Sequence, residues 1–498
     1  MNIKNKNDES PVIILVAACL TAAVIPLSIA APAVIIPEIS RELKSTSIEL
    51  IWIINAYILT YGSCTLLAGN LADKYGRKLV WFMGLFFFSL FSVLISFSTN
   101  VLILDILRLL QGISAAAAFS GAISHLAQKY DGNARIRAFS LIGTTFGSGA
   151  AFGPFIAGLL SDYLGWRAVF WLPTSLSLLS LLLVLKYAKE SKNINNKKND
   201  WWGAITFTIS VGLITYGITL APIDGWLSCT TVLVLLTGGA LLIIFIFIEL
   251  QQNDPMLNLA LFKSPKFIGV QCLALAPAFS YIVLLIILPA KFIGMEGMSA
   301  NNAGQYLFIL SIPLLIIPIL SAKLTYWITP AIISATGFFI TSIGLFFLAY
   351  EINNTESYQR LIYLLIIGIG VGLPWGLMDG LSVSVVDKNQ AGMATGIFNA
   401  IRLSGDGIAL ATVSVLLSEY LYSHIHKVEN NLSSSQIKIL TNQLSTSNFS
   451  NLNSYFPYIS KDKIMLVYDY AFHATILTLG LITLLISLIV FILLRAKN

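Results

Sequence analysis

Apolar runs of about 20 residues recur along the whole chain, separated by short polar breaks. A helix rises about 1.5 Å per residue, so such a run is the length that crosses a roughly 30 Å hydrocarbon core. Charged residues make up 11% of the chain and apolar ones 56%, where a soluble domain carries roughly 25% charged residues. No run alternates in the ten-residue manner of an outer-membrane barrel strand. The pattern predicts an all-α polytopic membrane protein, solvated by lipid, with no call for a nucleic-acid partner.

Fourteen spans can be placed, centred near Ala23, Gly62, Phe88, Ala115, Gly149, Leu178, Val211, Thr237, Ala278, Leu310, Ile340, Gly370, Asp406 and Leu481. With the N-terminus inside, 19 of the 30 Lys and Arg residues fall in cytoplasmic segments and 5 in short external loops. That asymmetry orients both termini to the cytoplasm. The polar start, Met1 to Ser10, runs straight into apolar sequence without a small-residue cleavage site. It reads as the lead-in to a retained first helix. Cys19, Cys64, Cys229 and Cys272 lie one to a segment, without metal-ligand spacing, and read as small packing residues.

The break between the second and third spans reads GNLADKYGRK, from Gly69 to Lys78. It resembles the corresponding loop of the major facilitator superfamily, G-x-L-A-D-x-x-G-R-K, and matches at every fixed position. The resemblance implies that Gly69, Asp73, Gly76, Arg77 and Lys78 form a cytoplasmic gate. It also implies two six-helix halves related by a pseudo-twofold axis along the membrane normal. Two polar connectors, Lys186 to Asp200 and Gln251 to Lys266, set off an extra pair of spans between the halves. The resulting organisation is residues 1–190, an inserted pair at 191–250, and 251–498. It resembles the fourteen-helix drug:proton antiporter branch, as does the P-x-L-N-L-x-L-F run before the ninth span. An external loop at about 423–464 is rich in Asn and Ser, with an amphipathic piece from Ile437 to Leu444; a disordered surface loop is the alternative.

Three further motifs carry the resemblance. The fourth span, LDILRLLQGISAAAA, holds Arg108 with Gln111 and Gly112. An arginine inside a membrane helix costs about 2.5–3.5 kcal/mol on insertion scales and by default faces protein or a wet cavity. In the superfamily this arginine is tied to proton coupling. Asp105, three residues earlier, is placed to pair with it, and a purely structural ion pair is the alternative. The fifth span, GTTFGSGAAFGPFIAG, is similar to the antiporter signature, with Gly149, Gly153, Pro154 and Gly158 matching and Ala157 replacing one glycine. Glycines at four-residue spacing let backbones approach and a proline softens the helix, so this stretch is expected to form a close-packed hinge between the halves. The thirteenth span resembles N-x-x-R-x-x-G-x-x-x-A through Asn399, Arg402, Gly405 and Ala409, with Asp406 in place of the more usual glycine. Arg402 and Asp406 are one turn apart, so either a local ion pair or a proton role is open.

One departure shifts the acidic burden. The first span of this branch usually carries an Asp, and here Ser28 and Ala33 stand in LSIAAPAVIIP. Asp379 in the twelfth span has no basic residue within a turn of its own helix. Away from water its neutral form is the less costly one, which makes it the first candidate proton carrier and Asp406 the second. By the repeat relation the first, fourth, ninth and twelfth spans line the cavity. Tyr57, Tyr281, Trp375 and Asn399 are its candidate lining residues.

Other chemistries find little support. No G-x-x-x-x-G-K-[ST] loop is present, so ATP is not indicated, and no cofactor or metal is implied. The four histidines, His125, His424, His426 and His473, lack the H-E-x-x-H context of an intramembrane zinc enzyme. A non-transporting receptor on the same fold would have no need of an antiporter hinge. The resemblance therefore implies a proton-coupled efflux antiporter of the inner membrane, acting as a monomer on small amphipathic drugs. The alternative is a dedicated exporter of an endogenous metabolite such as a siderophore.

Overall fold

A computed structural model describes residues 10–43, 45, 47–192, 200–225, 228–252, 257, 259–298, 300–351, 358–386, 391–428, 433–445 and 461–495. Among these residues the secondary structure is helical throughout, with no strand. The helices are α1 (Pro11–Leu43), α2 (Ser47–Tyr75), α3 (Arg77–Ser96), α4 (Val101–Lys129), α5 (Gly132–Leu164), α6 (Trp171–Tyr187, after a 3-10 turn at Trp166–Phe170), α7 (Trp201–Asp224) and α8 (Cys229–Gln251). There follow α9 (Pro265–Met295) and α10 (Asn302–Leu324), then α11 (Pro330–Glu351), α12 (Gln359–Ser384), α13 (Ala391–Val428), α14 (Ser434–Ser445) and α15 (Lys461–Arg495).

Among the described residues, 12 helices are long and apolar enough to cross a membrane. Two others, α2 with 29 residues and α5 with 33, are of comparable length. Each of the fourteen expected centres falls inside one of these fourteen helices, the last in α15. The apolar residues that face outward, such as Leu178 and Leu182 of α6, Leu236 and Phe247 of α8 and Leu485 and Ile492 of α15, suit a hydrocarbon solvent, which exacts no cost for exposing them.

The chain divides into two compact units whose boundaries fall within α9, α12 and α13. The first contains residues 1–271 and 375–404, the second 272–374 and 405–497. In the first, a core of Ile35, Ile39, Ile53, Ile95, Leu104, Val169 and Phe170 ties α1 to α4 and the turn before α6. A second core, with Leu66, Phe207, Phe245, Phe267, Ala394 and Ile397, packs helices α7 and α8 with α2, α9 and α13. Small residues allow the tight crossings. A β-carbon on Gly112 of α4 would lie 2.5 Å from the Tyr57 carbonyl oxygen of α2.

In the second unit α9 is interrupted by two π-helical turns, Ala278–Ile282 and Ala290–Met295. Ser342 of α11 donates to the Gly480 carbonyl of α15 at 2.8 Å. The polar segment expected at about 423–464 is shorter than the sequence suggests. Helix α13, with 38 residues, reaches about 57 Å and runs on to Val428, while α15 begins at Lys461. Between them the amphipathic piece folds as α14, burying Ile437, Leu440 and Leu444.

Candidate functional site

Arg108 is fully buried on α4, and its donors are matched by acceptors from three helices. Nε donates to the Ile53 carbonyl at 2.7 Å, Nη2 to the Ser28 carbonyl at 2.8 Å and Nη1 to Gln111 Oε1 at 2.6 Å. Its guanidinium lies over the Tyr57 ring at 4.4 Å, and Gln111 is held in turn by Ser92 of α3. The expected pairing with Asp105 does not form as a hydrogen bond. Asp105 Oδ1 has no hydrogen-bond partner, because neutral acceptors have taken the guanidinium edge. Ser28, standing where an acid is usual, turns its hydroxyl back to the Val24 carbonyl at 2.8 Å.

A different ionic pair occupies the interior of the first unit. Asp379 of α12 and Arg402 of α13 are both about 5% exposed. Arg402 lies over the rings of Phe146 at 4.2 Å and Trp375 at 4.8 Å, and its Nη1 has no hydrogen-bond partner. Asp379 Oδ2 also has none, although the charge of Arg402 reaches it through space. No salt bridge joins the two among the described residues. The carboxylate rests on α5, where a β-carbon on Gly143 would meet Oδ2 at 2.8 Å. Around the pair, Tyr61 and Tyr57 stack at 6.1 Å, Tyr61 meets Phe119, and Phe119 meets Phe146. The Tyr57 and Tyr61 hydroxyls and Asn399 Oδ1 have no hydrogen-bond partner. Buried polar atoms of this kind are uncommon in a folded protein and call for an explanation such as water, a proton or a solute.

The structure thus brings Tyr57, Trp375, Asn399, Arg402 and Asp379 into one unit, and adds Tyr61, Phe146 and Gly143, which sequence reasoning passed over. Tyr61 was legible one helical turn from Tyr57. Phe146 and Gly143 lie inside the fifth-span motif, whose glycine spacing and proline give no sign of the charged groups packed against them. Arg402 turns its guanidinium to the aromatic rings, and no salt bridge between it and Asp406 occurs among the described residues, which leaves the ion-pair alternative without support. Tyr281 belongs to the second unit, where its hydroxyl meets Ser311 at 2.7 Å.

The turn between α2 and α3 is held by side-chain and backbone bonds. Arg77 donates to Asp73 Oδ1 from Nε at 3.0 Å and from Nη2 at 2.7 Å. Gly76 adopts φ 130°, a conformation that favours glycine, and a β-carbon there would meet the Glu190 carboxylate at 2.5 Å. Glu190, beyond α6, accepts from the Lys78 and Leu79 amides at 3.1 and 3.0 Å and so caps the start of α3. The Arg77 amide donates to the Ser191 carbonyl at 3.1 Å, and Lys78 Nζ donates to the Leu185 carbonyl at 3.2 Å. Glu190 escaped sequence reasoning because it lies more than 110 residues from the amides it caps.

The α5 glycines face α1 within the first unit. A β-carbon on Gly149 would clash with the Ala23 carbonyl and lie 2.9 Å from Pro26. At Gly153 it would be 3.3 Å from Ala30, and at Gly158 3.9 Å from Val34. Within the first unit these glycines give α5 its close approach to α1. The second unit holds a further ionic network. Lys291, about 1% exposed, bridges Asp469 and Glu296, and Glu296 meets Arg360 at 2.9 Å.

Comparison with known proteins agrees with this architecture. A family model described as Major Facilitator Superfamily matches residues 18–410. The chain is 26% identical over 390 residues to the Multidrug resistance protein Stp of Mycobacterium tuberculosis, covering 78% of this chain and 72% of that one. It is 26% identical over 362 residues to Multidrug resistance protein 3 of Bacillus subtilis, covering 71% and 69%. Its fold is similar to the human organic anion transporter MFSD10 (TETRAN), with a TM-score of 0.63 at 12% identity over 96% of this chain and 98% of that one. At that identity the likeness concerns the fold alone.

Proposed function

This chain belongs to the major facilitator superfamily, and from that premise we propose that it is a proton-coupled antiporter exporting small amphipathic molecules by alternating access. It is a multi-pass membrane transporter, and relatives named for multidrug resistance support the efflux direction. In this reading it sits in the cytoplasmic membrane with both termini inside and works as a monomer. Two six-helix halves flank the inserted α7 and α8. The turn from Gly69 to Lys78 gates the cytoplasmic side, and Gly149, Gly153, Pro154 and Gly158 give α5 its close packing.

The observation that carries the proposal is Asp379, whose carboxylate is buried with one oxygen lacking a hydrogen-bond partner. A buried carboxylate without a salt bridge is costly, and a proton removes that cost. Arg402 supplies a through-space counter-charge that keeps the ionised form accessible. Loading and unloading a proton there can then bias the two conformations of the carrier. Asp406 is the second carrier in line, while Arg108, matched to neutral acceptors, holds α1, α2 and α4 in register beside Asp105.

The driving force suffices. One proton entering down about 150 mV releases roughly 3.5 kcal/mol, at about 2.3 per 100 mV. At about 1.4 kcal/mol per tenfold, that sustains a several-hundred-fold gradient of a neutral solute. The test is substrate movement in proteoliposomes with and without an imposed pH difference. Asp379→Asn mimics the protonated state and is expected to exchange substrate without concentrating it. Uphill transport retained in that variant passes the role to Asp406, to be tested in the same way with Asp406→Asn.

A further inference from the structure

We infer that the aromatic-walled charge pair of the first unit selects planar zwitterions, taking the acid end at Arg402 and the amine end at Asp379, and disfavours permanent lipophilic cations. This rests on the reading of Asp379 as the proton carrier and adds the class of solute that its surroundings admit.

Three features lead there. The first is how Arg402 is held. Contact with the Phe146 and Trp375 rings compensates a guanidinium charge without using its N–H groups, and Nη1 has no hydrogen-bond partner. A carboxylate accepts from a guanidinium edge in a charge-assisted and often bidentate manner. The second is the unused acceptors. Asp379 Oδ2 and Asn399 Oδ1 lack partners, and Asn399 Nδ2 is committed to the Thr395 carbonyl at 2.9 Å. The amide therefore presents oxygen, and an N–H-bearing group suits both acceptors. Tyr61, with its own unpartnered hydroxyl, lies in the electrostatic field of both Arg402 and Asp379.

The third is the charge balance. With Ser28 on α1 bonded to its own backbone, the pair is one anion and one cation. A solute carrying only a positive charge gains Asp379 but meets Arg402. One carrying only a negative charge gains Arg402 but meets Asp379. A zwitterion satisfies both. A proton on Asp379 then weakens the hold on the solute's amine without abolishing binding, because Arg402 and Asn399 still contact the solute, and exchange in Asp379→Asn remains possible. Among the described residues, the charged or titratable groups facing Asp379 are Arg402 of α13 and Tyr61 of α2, while α5 presents Gly143.

Three dyes with the same xanthene frame separate the alternatives: rhodamine 110 as zwitterion, rhodamine 123 as its cationic methyl ester, and fluorescein as anion. Fluorescence anisotropy on the purified full chain in nanodiscs at neutral pH is expected to show rhodamine 110 binding at least about tenfold more tightly than either, the worth of about 1.4 kcal/mol. Arg402→Gln should remove that preference by weakening rhodamine 110 and sparing rhodamine 123. Asp379→Asn should abolish the loss of rhodamine 110 binding on acidification. The inference is overturned if rhodamine 123 or fluorescein binds the wild-type chain as well as rhodamine 110, if no dye binds, or if Arg402→Gln weakens all three equally. The comparison on the wild-type chain needs no variant to fold. A zwitterion preference without proton-driven uphill transport would defeat the antiport reading alone, and a working pump that prefers rhodamine 123 would defeat this inference alone.

Discussion

Asp379 lies against the bare α-carbon of Gly143, so close that a β-carbon there would sit 2.8 Å from its Oδ2. Helix α5 thus fixes where the carboxylate of α12 can be. Gly143→Ala is expected to insert in the membrane and fold, at an overpacking cost of about 1–3 kcal/mol. By displacing the carboxylate it should lower uphill transport in proteoliposomes while leaving exchange measurable. Wild-type pumping by Gly143→Ala would mean that Asp379 relaxes freely and that α5 does not position it.

The α2–α3 turn joins two kinds of contact, and they can be separated. Asp73→Asn removes the charge that Arg77 grips and is expected to abolish transport with membrane insertion intact. Glu190→Ala removes the cap of α3, worth about 0.5–2 kcal/mol, and should speed amide exchange at Lys78 and Leu79 several-fold without breaking the Asp73–Arg77 pair. Normal efflux by Asp73→Asn takes the gate out of the mechanism.

Close packing on α1 gives an order of sensitivity along α5. A β-carbon at Gly149 clashes with the Ala23 carbonyl and Pro26, at Gly153 it crowds Ala30, and at Gly158 it only reaches ordinary contact with Val34. Transport per inserted molecule is expected to fall most for Gly149→Leu, next for Gly153→Leu and least for Gly158→Leu. A wild-type rate for Gly149→Leu or Gly153→Leu would show that α1 and α5 do not need to touch.

Beyond the Pro11–Pro32 span of α1, Glu42 accepts from Trp166 Nε1 at 2.7 Å and from Arg167 Nη1 at 2.6 Å. These bonds, with the Arg167 charge, hold its carboxyl below the usual 4.5. A lowered folded value means that the tie is complete above about pH 4.5 and is lost as pH falls through the folded value. Trp166 emission should therefore change on acidification below that point, and Glu42→Gln should flatten the change. An unaltered titration in Glu42→Gln would assign the signal to another group.

The sequence by itself determined the helices, the solvent and the family. Helix length and apolarity are local properties, and a bilayer imposes them on every span in turn, so each of the fourteen centres could be placed one segment at a time. The turn from Gly69 to Lys78 was equally legible, because Asp73 and Arg77 are one turn apart and bond to each other. The partners of single charges were another matter. Spacing along one helix suggested Asp105 for Arg108 and Asp406 for Arg402, yet Arg108 took carbonyls of α1 and α2 and Arg402 took aromatic rings of α5 and α12. Neighbours one turn away compete with groups on every helix packed alongside, and with little water to satisfy a buried guanidinium the best-placed acceptor or ring prevails regardless of its distance in sequence. For the same reason only the tertiary structure found Glu190 above the start of α3, Gly143 beneath Asp379, and the network of Lys291, Glu296, Arg360 and Asp469.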